Sequence, residues 1–503
     1  MMGSMEGILS GFGVAFSIEG ILFVFLGVFI GTFIGMMPGL GPISAIAIMI
    51  PVTYSMDPAL ALVMMAGVYY GAVFGGSSSS ILLNAPGISG TVATAFDGYP
   101  MAQQGKAGKA LAIAAIASFT GGTVSVILLM LFTPLLASVA VVFGPAEYFA
   151  LMLMGLTAIS SLSDGSTIKA MISAVLGFMA VTIGIDAQTG TQRFTFGNIN
   201  LLEGIDFLVI ALGLFALAEV CMLIFNRKDN SGGMSGNIGS LRLSKEDFHE
   251  MKGPVTRQSF LGFILGVLPG AGATIASFIA YVTEKKIAKN PDEFGKGSIK
   301  GLAAPETANN AATGGAFVPL LSLGIPGSGT TAVLLGAFLV LGVQPGPLLV
   351  QDNPEVFWGI IASMYVGNIF LLILNLPLIP YIAKVLKVPR PLLISLVIMF
   401  SLIGVYAISF NTFDLYILLL FGVAGFLMRI FSFPAAPFIL AFILGGMMEQ
   451  AMRQSLTISN GNWLVFVQRP IAATLIAIAI ISLIIPLIKR KTTVGPKNNN
   501  INV

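Results

Sequence analysis

Two short segments bring backbone polar groups and small hydroxyls together within otherwise apolar sequence. They are Pro86-Gly87-Ile88-Ser89-Gly90-Thr91 and Pro326-Gly327-Ser328-Gly329-Thr330-Thr331. A Pro-Gly pair interrupts a helix and frees backbone groups from its hydrogen-bond ladder. Amides at the start of the following helix attract anions, helped by the helix dipole. Pro86, Gly87, Ser89, Gly90 and Thr91, with Pro326, Gly327, Ser328, Gly329 and Thr330, are therefore the candidate substrate-binding residues. A bulky side chain would block backbone approach, so Gly327→Leu is expected to abolish function and leave membrane expression intact.

Carbonyls freed at the end of the preceding helix suit sodium. Gly39, Asn84 and Gly270, which lie at such ends, are candidate cation ligands. Glu306, Asn309 and Asn310 add side-chain oxygens near the start of the apolar stretch 301–322. An acidic residue beside a membrane segment is a functional candidate by default. Each feature has a plainer reading. Glu306 could be an interfacial helix-start acid, favoured by the dipole. The run Ser77 to Ser80 could serve close helix packing, and Asp97, before Gly98-Tyr99-Pro100, a solvated turn. Near the breaks no Lys or Arg lies well inside an apolar stretch. A multiply charged anion would then need amides, dipoles and co-bound cations, which favours cation-coupled symport.

Other chemistries lack their parts. Gly270 to Ala276 resembles a dinucleotide fingerprint but has no strand or βαβ context. There is no Walker A motif. Gly87-Ile88-Ser89-Gly90 resembles an intramembrane serine hydrolase, but such a serine needs a base, and the single histidine, His249, lies in a polar segment. A His/Cys metal cluster is excluded by count. No enzyme, cofactor or metal site is expected, apart from sodium as the coupling ion.

The surrounding elements must be membrane helices. The chain has 503 residues, 56% hydrophobic and 9% charged, with mean hydropathy +0.94. A soluble domain carries about 25% charged residues. The net charge of +3 gives no nucleic-acid footprint, and the lone Cys221 forms no internal disulfide. Met1 to Gly20 has no charged n-region, so no signal-peptide cleavage is expected. Apolar stretches near span length cover 58–83, 110–142, 146–163, 168–186, 205–225, 301–322, 354–380, 391–410, 415–431, 434–448 and 470–488. Two more, 20–56 and 258–283, are interrupted by Pro-Gly. The positive-inside rule puts Lys106 and Lys109, the basic residues of 227–257 and 285–300, and the C-terminal tail in the cytoplasm. Both interrupted stretches then begin and end on one face, as re-entrant hairpins. The N-terminus falls outside and the C-terminus inside. Arg193, Arg453 and Arg469 fall outside, against the rule.

The halves echo each other. Gly31, Gly35, Pro38, Gly39 and Gly41 match Gly262, Gly266, Pro269, Gly270 and Gly272 in spacing, and further on the Pro86-Gly87 break is echoed by Pro326-Gly327. With opposite orientations this is an inverted-topology repeat, the architecture of many secondary transporters. The expected fold is all-α and polytopic, with two re-entrant hairpins and about eleven crossings. Its parts are a first repeat at 1–225, a cytoplasmic linker at 226–257, a second repeat at 258–450, and a final helix and tail at 451–503.

These residues also carry a family resemblance. Gly31 to Gly41, Tyr70 to Gly76, Ile81 to Gly87 and Asp97 to Ala102 with Gly105-Lys106 are its first blocks. Gly266 to Gly272, Ala304 to Ala311, Leu323 to Ser328 and Gln344 to Pro347 are the later ones. Over roughly residues 20 to 450 the chain resembles the large membrane subunit of the tripartite tricarboxylate transporters, the TctA family. The resemblance implies a permease of the bacterial cytoplasmic membrane. It would work with a small membrane subunit and an extracytoplasmic substrate-binding protein, with homo-oligomerisation left open. It implies secondary, typically sodium-coupled import of citrate-like or other carboxylates by alternating access, without an ATPase. The main alternative is a passive anion channel.

Overall fold

The computed structural model describes every residue except 1, 38–39, 163–165, 187, 226–237, 383–389 and 490–503. The first half opens with α1 (Met2–Phe16) and α2 (Ile18–Gly35), separated by Ser17, whose hydroxyl caps α2 at the Gly20 amide. After a break, α3 (Pro42–Thr53) starts with Pro42, whose missing N–H costs nothing at a first position. Asp57 caps α4 (Pro58–Leu83), which ends at Asn84 in the left-handed conformation, φ 51°. A second break and the 3-10 turn Ser89–Thr91 lead into α5 (Val92–Met101). Then come α6 (Ala107–Ala140), α7 (Pro145–Leu162) and α8 (Thr167–Val181). A small antiparallel pair, β1 (Gly184–Ile185) with β2 (Gln192–Arg193), precedes α9 (Phe207–Phe225).

The second half begins with α10 (Lys245–Val267), fixed by a capping box between Ser244 and Asp247. After the 268–271 break comes α11 (Gly272–Ile287). The long buried helix follows as α12 (Ile299–Gly315) and α13 (Phe317–Leu323), ending at Gly324 with φ 71°. The break 325–328 leads to α14 (Gly329–Val340). The remaining long helices are α15 (Pro354–Asn375), α16 (Arg390–Ser409), α17 (Thr412–Ile430), α18 (Ala435–Ile458) and α19 (Pro470–Lys489).

Among the described residues, eight helices are long and apolar enough to span a bilayer. The chain is a multi-pass, all-α membrane protein. Helix α1 was not among the expected spans, and neither was the β pair. Helix α10 starts at Lys245, inside the stretch read as linker, while residues 226–237 of that stretch lie outside the described residues.

Glycine decides how the helices touch. A Cβ on Gly27, Gly31 or Gly35 of α2 would fall 2.2, 2.3 or 2.1 Å from a carbonyl oxygen of α4, at Met64, Val68 or Ala72. No side chain fits there, so the backbones are in contact, the packing that membrane helices use in place of hydrophobic drive. On the other side, a Cβ on Gly67, Gly71 or Gly75 of α4 would lie 3.1, 2.6 or 2.1 Å from backbone atoms of α2. Helices α10 and α12 repeat the pattern: a Cβ on Gly262 or Gly266 would meet the Ala308 or Ala312 oxygen at 2.5 or 2.2 Å.

The halves also interlock through polar groups. Asp97, expected in a solvated turn, is fully buried within α5. Its Oδ1 accepts hydrogen bonds from the amides of Gly295 (2.9 Å), Gly297 (2.8 Å) and Ser298 (2.7 Å), in the segment that leads into α12. The Gly98-Tyr99-Pro100 signal misled because Pro100 sits inside the helix, which continues past it. Nearby, Lys109 pairs with Asp247 at 2.7 Å, and the Gly108 amide donates to the Ile238 carbonyl at 2.6 Å.

The three arginines that break the positive-inside pattern are all neutralised. Arg193 contacts Asp186 (3.3 Å) and Glu449 (2.9 Å), and Arg453 contacts the same two acids at 2.8 and 2.5 Å. Arg469 pairs with Glu147 at 2.7 Å. The Thr189 and Gln188 amides hold Asp186 well below its ordinary range, at about 2, with help from Arg453 and Arg193. A depressed carboxylate stabilises the fold above its unfolded value and loses that contribution as pH falls through its folded value. Local order at the β pair should therefore be constant above about pH 5 and fall between about pH 4 and 2. Cleavage there by an acid protease should rise across that window, and in Asp186→Asn it should already be high at its upper end. Equal cleavage of both proteins at every pH would show that Asp186 does not hold the turn.

Candidate functional site

Both halves contribute to one cavity of about 620 Å³, within the range of small-molecule sites, roughly 300–1,000 Å³. Three helix starts open onto it: α3 at Gly41 to Ser44, α11 at Gly272 to Ile275, and α14 at Ser328 to Thr330. The turn at Ser89-Gly90 supplies a fourth wall. Neither α3 nor α11 has a side-chain cap, so their first amides keep their unpaired character. At α14, Ser328 and Thr331 cap each other's amides, which leaves out those of Gly329 and Thr330.

Contacts between halves hold these starts in register. The Gly270 amide donates to the Gly327 carbonyl at 2.9 Å. Ser89 Oγ and Thr274 Oγ1 are 2.7 Å apart, and Tyr69 Oη lies 3.4 Å from Ser328 Oγ. Gly270 and Gly272 adopt φ of 87° and 56°, the left-handed region that glycine enters without penalty.

Of the candidate substrate ligands, Gly87, Ser89, Gly90, Ser328, Gly329 and Thr330 line the cavity, and so does Gly270 from the candidate cation set. Pro86, Thr91, Pro326 and Gly327 do not. Thr91 is fully buried; its hydroxyl accepts from Ser80 at 2.9 Å and faces the Gly76 and Ile88 carbonyls. A Cβ on Gly327 would lie 3.0 Å from Ala316 Cα and 3.1 Å from the Gly266 oxygen. That glycine serves packing, so Gly327→Leu would act on the fold and not on substrate approach. Gly87 makes the matching contact, with the Gly35 oxygen only 1.9 Å from where its Cβ would be.

The remaining cation candidates separate. Gly39 lies outside the described residues, and Asn84 is exposed at the end of α4. Glu306, Asn309 and Asn310 are buried in the middle of the α12–α13 run, which removes the reading of Glu306 as an interfacial helix-start acid. Ser77 and Ser118 each donate to Glu306 Oε2 at 2.7 Å, and Thr94 donates to Oε1. Asn310 Nδ2 donates to Asn309 Oδ1 at 2.6 Å, and Asn309 Nδ2 to the Gly90 carbonyl at 3.4 Å. The acidic cluster and the cavity thus share the turn at Gly90.

Sequence reasoning missed one charged residue in the cavity wall. Arg429, in the last turn of α17, lines it and pairs with the buried Glu219 of α9. Two opposite charges, each within an apolar stretch, were the available signal, since such groups pair with one another.

Residues 21–440 match the Tripartite tricarboxylate transporter TctA family. The chain is 45% identical over 488 residues to an uncharacterized 52.8 kDa protein in the TAR-I ttuC' 3' region of Agrobacterium vitis, covering 97% of each chain. It is also 45% identical over 227 residues to an uncharacterized protein in the TAR-II ttuC' 3' region of Agrobacterium vitis, covering 45% of this chain and 94% of the relative. No solved structure matches it. The matched region holds both Pro-Gly breaks, the Glu306 cluster and Arg429, and the chain belongs to the TctA family of tripartite tricarboxylate transporters, a family of transporters and not of enzymes.

Proposed function

We propose that this chain is the permease subunit of a sodium-coupled, binding-protein-dependent importer of citrate-like or other small carboxylates. The observation that carries the reading is the convergence of three helix starts and the Ser89-Gly90 turn on one cavity. Each helix start offers roughly half a positive charge and unpaired amides, a preference for anions that needs no base or metal. The family implies two partner components, a small membrane subunit and a substrate-binding protein.

Sodium would bind at Glu306, whose surroundings are hydroxyl and amide oxygens, the donors that hard cations take. The shared turn at Gly90 gives the ion a way to bias the cavity. Alternating access would move the breaks against the wall formed by α9, α17 and α18. The inverted repeat is supported by the matching α2–α4 and α10–α12 contacts, and two re-entrant hairpins with about eleven crossings complete the proposed topology. The Lys109–Asp247 pair supports a common cytoplasmic face for both loops, with the N-terminus outside, the C-terminus inside and the whole in the bacterial inner membrane.

The test is labelled-citrate uptake into proteoliposomes holding the chain and its small partner, with binding protein outside. Saturable uptake is expected, rising at least tenfold with an inward sodium gradient. If a panel of carboxylates gives no uptake in folded protein, or only unsaturated flux without need of binding protein, the coupled-permease reading fails.

A further inference from the structure

We propose that Arg429 is the anchor for a substrate carboxylate, held ready by an ion pair with Glu219 that the substrate displaces. The inference rests on reading the cavity as a carboxylate site. Its starting point is charge. The helix starts and hydroxyls of the wall offer only partial charges, and among the described residues Arg429 is the one that lines the cavity with a full charge.

Burial within the pair is unequal. The Arg429 side chain keeps 33% exposure against 4% for Glu219. The carboxylate is therefore set behind the guanidinium, within α9, while the guanidinium borders open volume. Only Nη1 engages Glu219 among the described residues. The other donors of the fork are left for a second acceptor, and a guanidinium takes a carboxylate in bidentate fashion.

The backbone carrying Arg429 is fixed independently. Lys169 of α8 donates to the Phe431 carbonyl at 2.5 Å and stands over the Phe433 ring at 5.2 Å. Phe433 and Ala436, also in the cavity wall, continue this surface into α18. The breaks and helix starts line the rest of the cavity and adjoin this surface at Gly329, whose Cβ position lies 3.0 Å from Ala436 Cβ. A substrate held by both surfaces would join them, one carboxylate on the amides and another on Arg429. A monocarboxylate could satisfy one surface only, so the anchor also selects for two or more carboxylates. The competing account makes the pair a tie between α17 and α9 with no contact to substrate.

The accounts differ over citrate affinity in Glu219→Gln. Citrate, succinate and acetate binding would be measured on the full chain with its small partner in nanodiscs, alongside thermal stability. As an anchor, Arg429 gains freedom in Glu219→Gln, and citrate should bind several-fold more tightly. The double variant Arg429→Gln/Glu219→Gln leaves no lone buried charge, so it should fold, and citrate and succinate should bind at least tenfold more weakly. In Arg429→Lys, which keeps the charge and loses the fork, the loss should be intermediate. A structural tie predicts unchanged citrate affinity in Glu219→Gln and in the folded double variant; either result overturns the anchor. If wild-type protein binds citrate yet does not favour it over acetate, the selectivity argument falls and the cavity reading stands. If wild-type protein binds no carboxylate, both fall together.

Discussion

Gly35→Leu is expected to remove the protein from the membrane. The new Cβ would stand 2.1 Å from the Ala72 oxygen and 2.5 Å from its Cα, a backbone clash that no rotamer relieves. Overpacking a core typically costs about 1–3 kcal/mol, and this site should exceed that, because α2 and α4 would have to separate along a shared face. Gly446→Leu is the control, since nothing lies within 4 Å of its Cβ position. The measurement is the amount of folded, detergent-extractable protein for each variant. Gly327→Leu belongs with Gly35→Leu, because its neighbours are the Gly266 carbonyl and Ala316. Near-wild-type yield of Gly35→Leu would mean that the α2–α4 contact is not needed for folding.

Glu306→Gln should cut sodium-dependent uptake by at least roughly 100-fold, about 2.7 kcal/mol, while the protein stays folded. The carboxylate accepts from Ser77, Ser118 and Thr94. Glutamine keeps one accepting oxygen and replaces the other with a donor, so one or two hydroxyls must turn. Ser77 has an alternative acceptor in the Val73 carbonyl, 3.4 Å away. A misplaced buried hydrogen bond costs about 1–3 kcal/mol, which a large membrane domain can absorb. What cannot be replaced is the negative ligand. Uptake by Glu306→Gln with unchanged dependence on external sodium would move the cation site elsewhere.

Features that depend on local signals were readable from sequence. The stretch 58–83 coincides with α4 because uncharged residues run unbroken between Asp57 and the Asn84–Gly87 break. The Pro-Gly breaks were visible because proline and glycine mark them directly. Helix α1 escaped notice because Met2–Phe16 is shorter than a span and glycine-rich. Glu306 was open to reading as a helix-start acid because it lies near the start of the apolar stretch 301–322, whereas α12 starts at Ile299, capped by Ser298, and buries it. The Arg429–Glu219 pair joins residues 210 positions apart, and nothing in the flanking sequence of either names the other. Asp97 was misread for the same reason: its partners are amides of a segment about two hundred residues away.

That distance has a consequence for synthesis. Asp97 and the Gly297 amide are 200 residues apart in the chain. Translation at about 5–20 residues per second leaves roughly 10–40 s between them. For that interval α5 has been made and the segment that receives its carboxylate has not. An acid without its partners is costly in hydrocarbon, so the nascent first half must wait with α5 in water or in the insertion machinery. The joint between the halves at Asp97 therefore closes late, once the segment leading into α12 has been made.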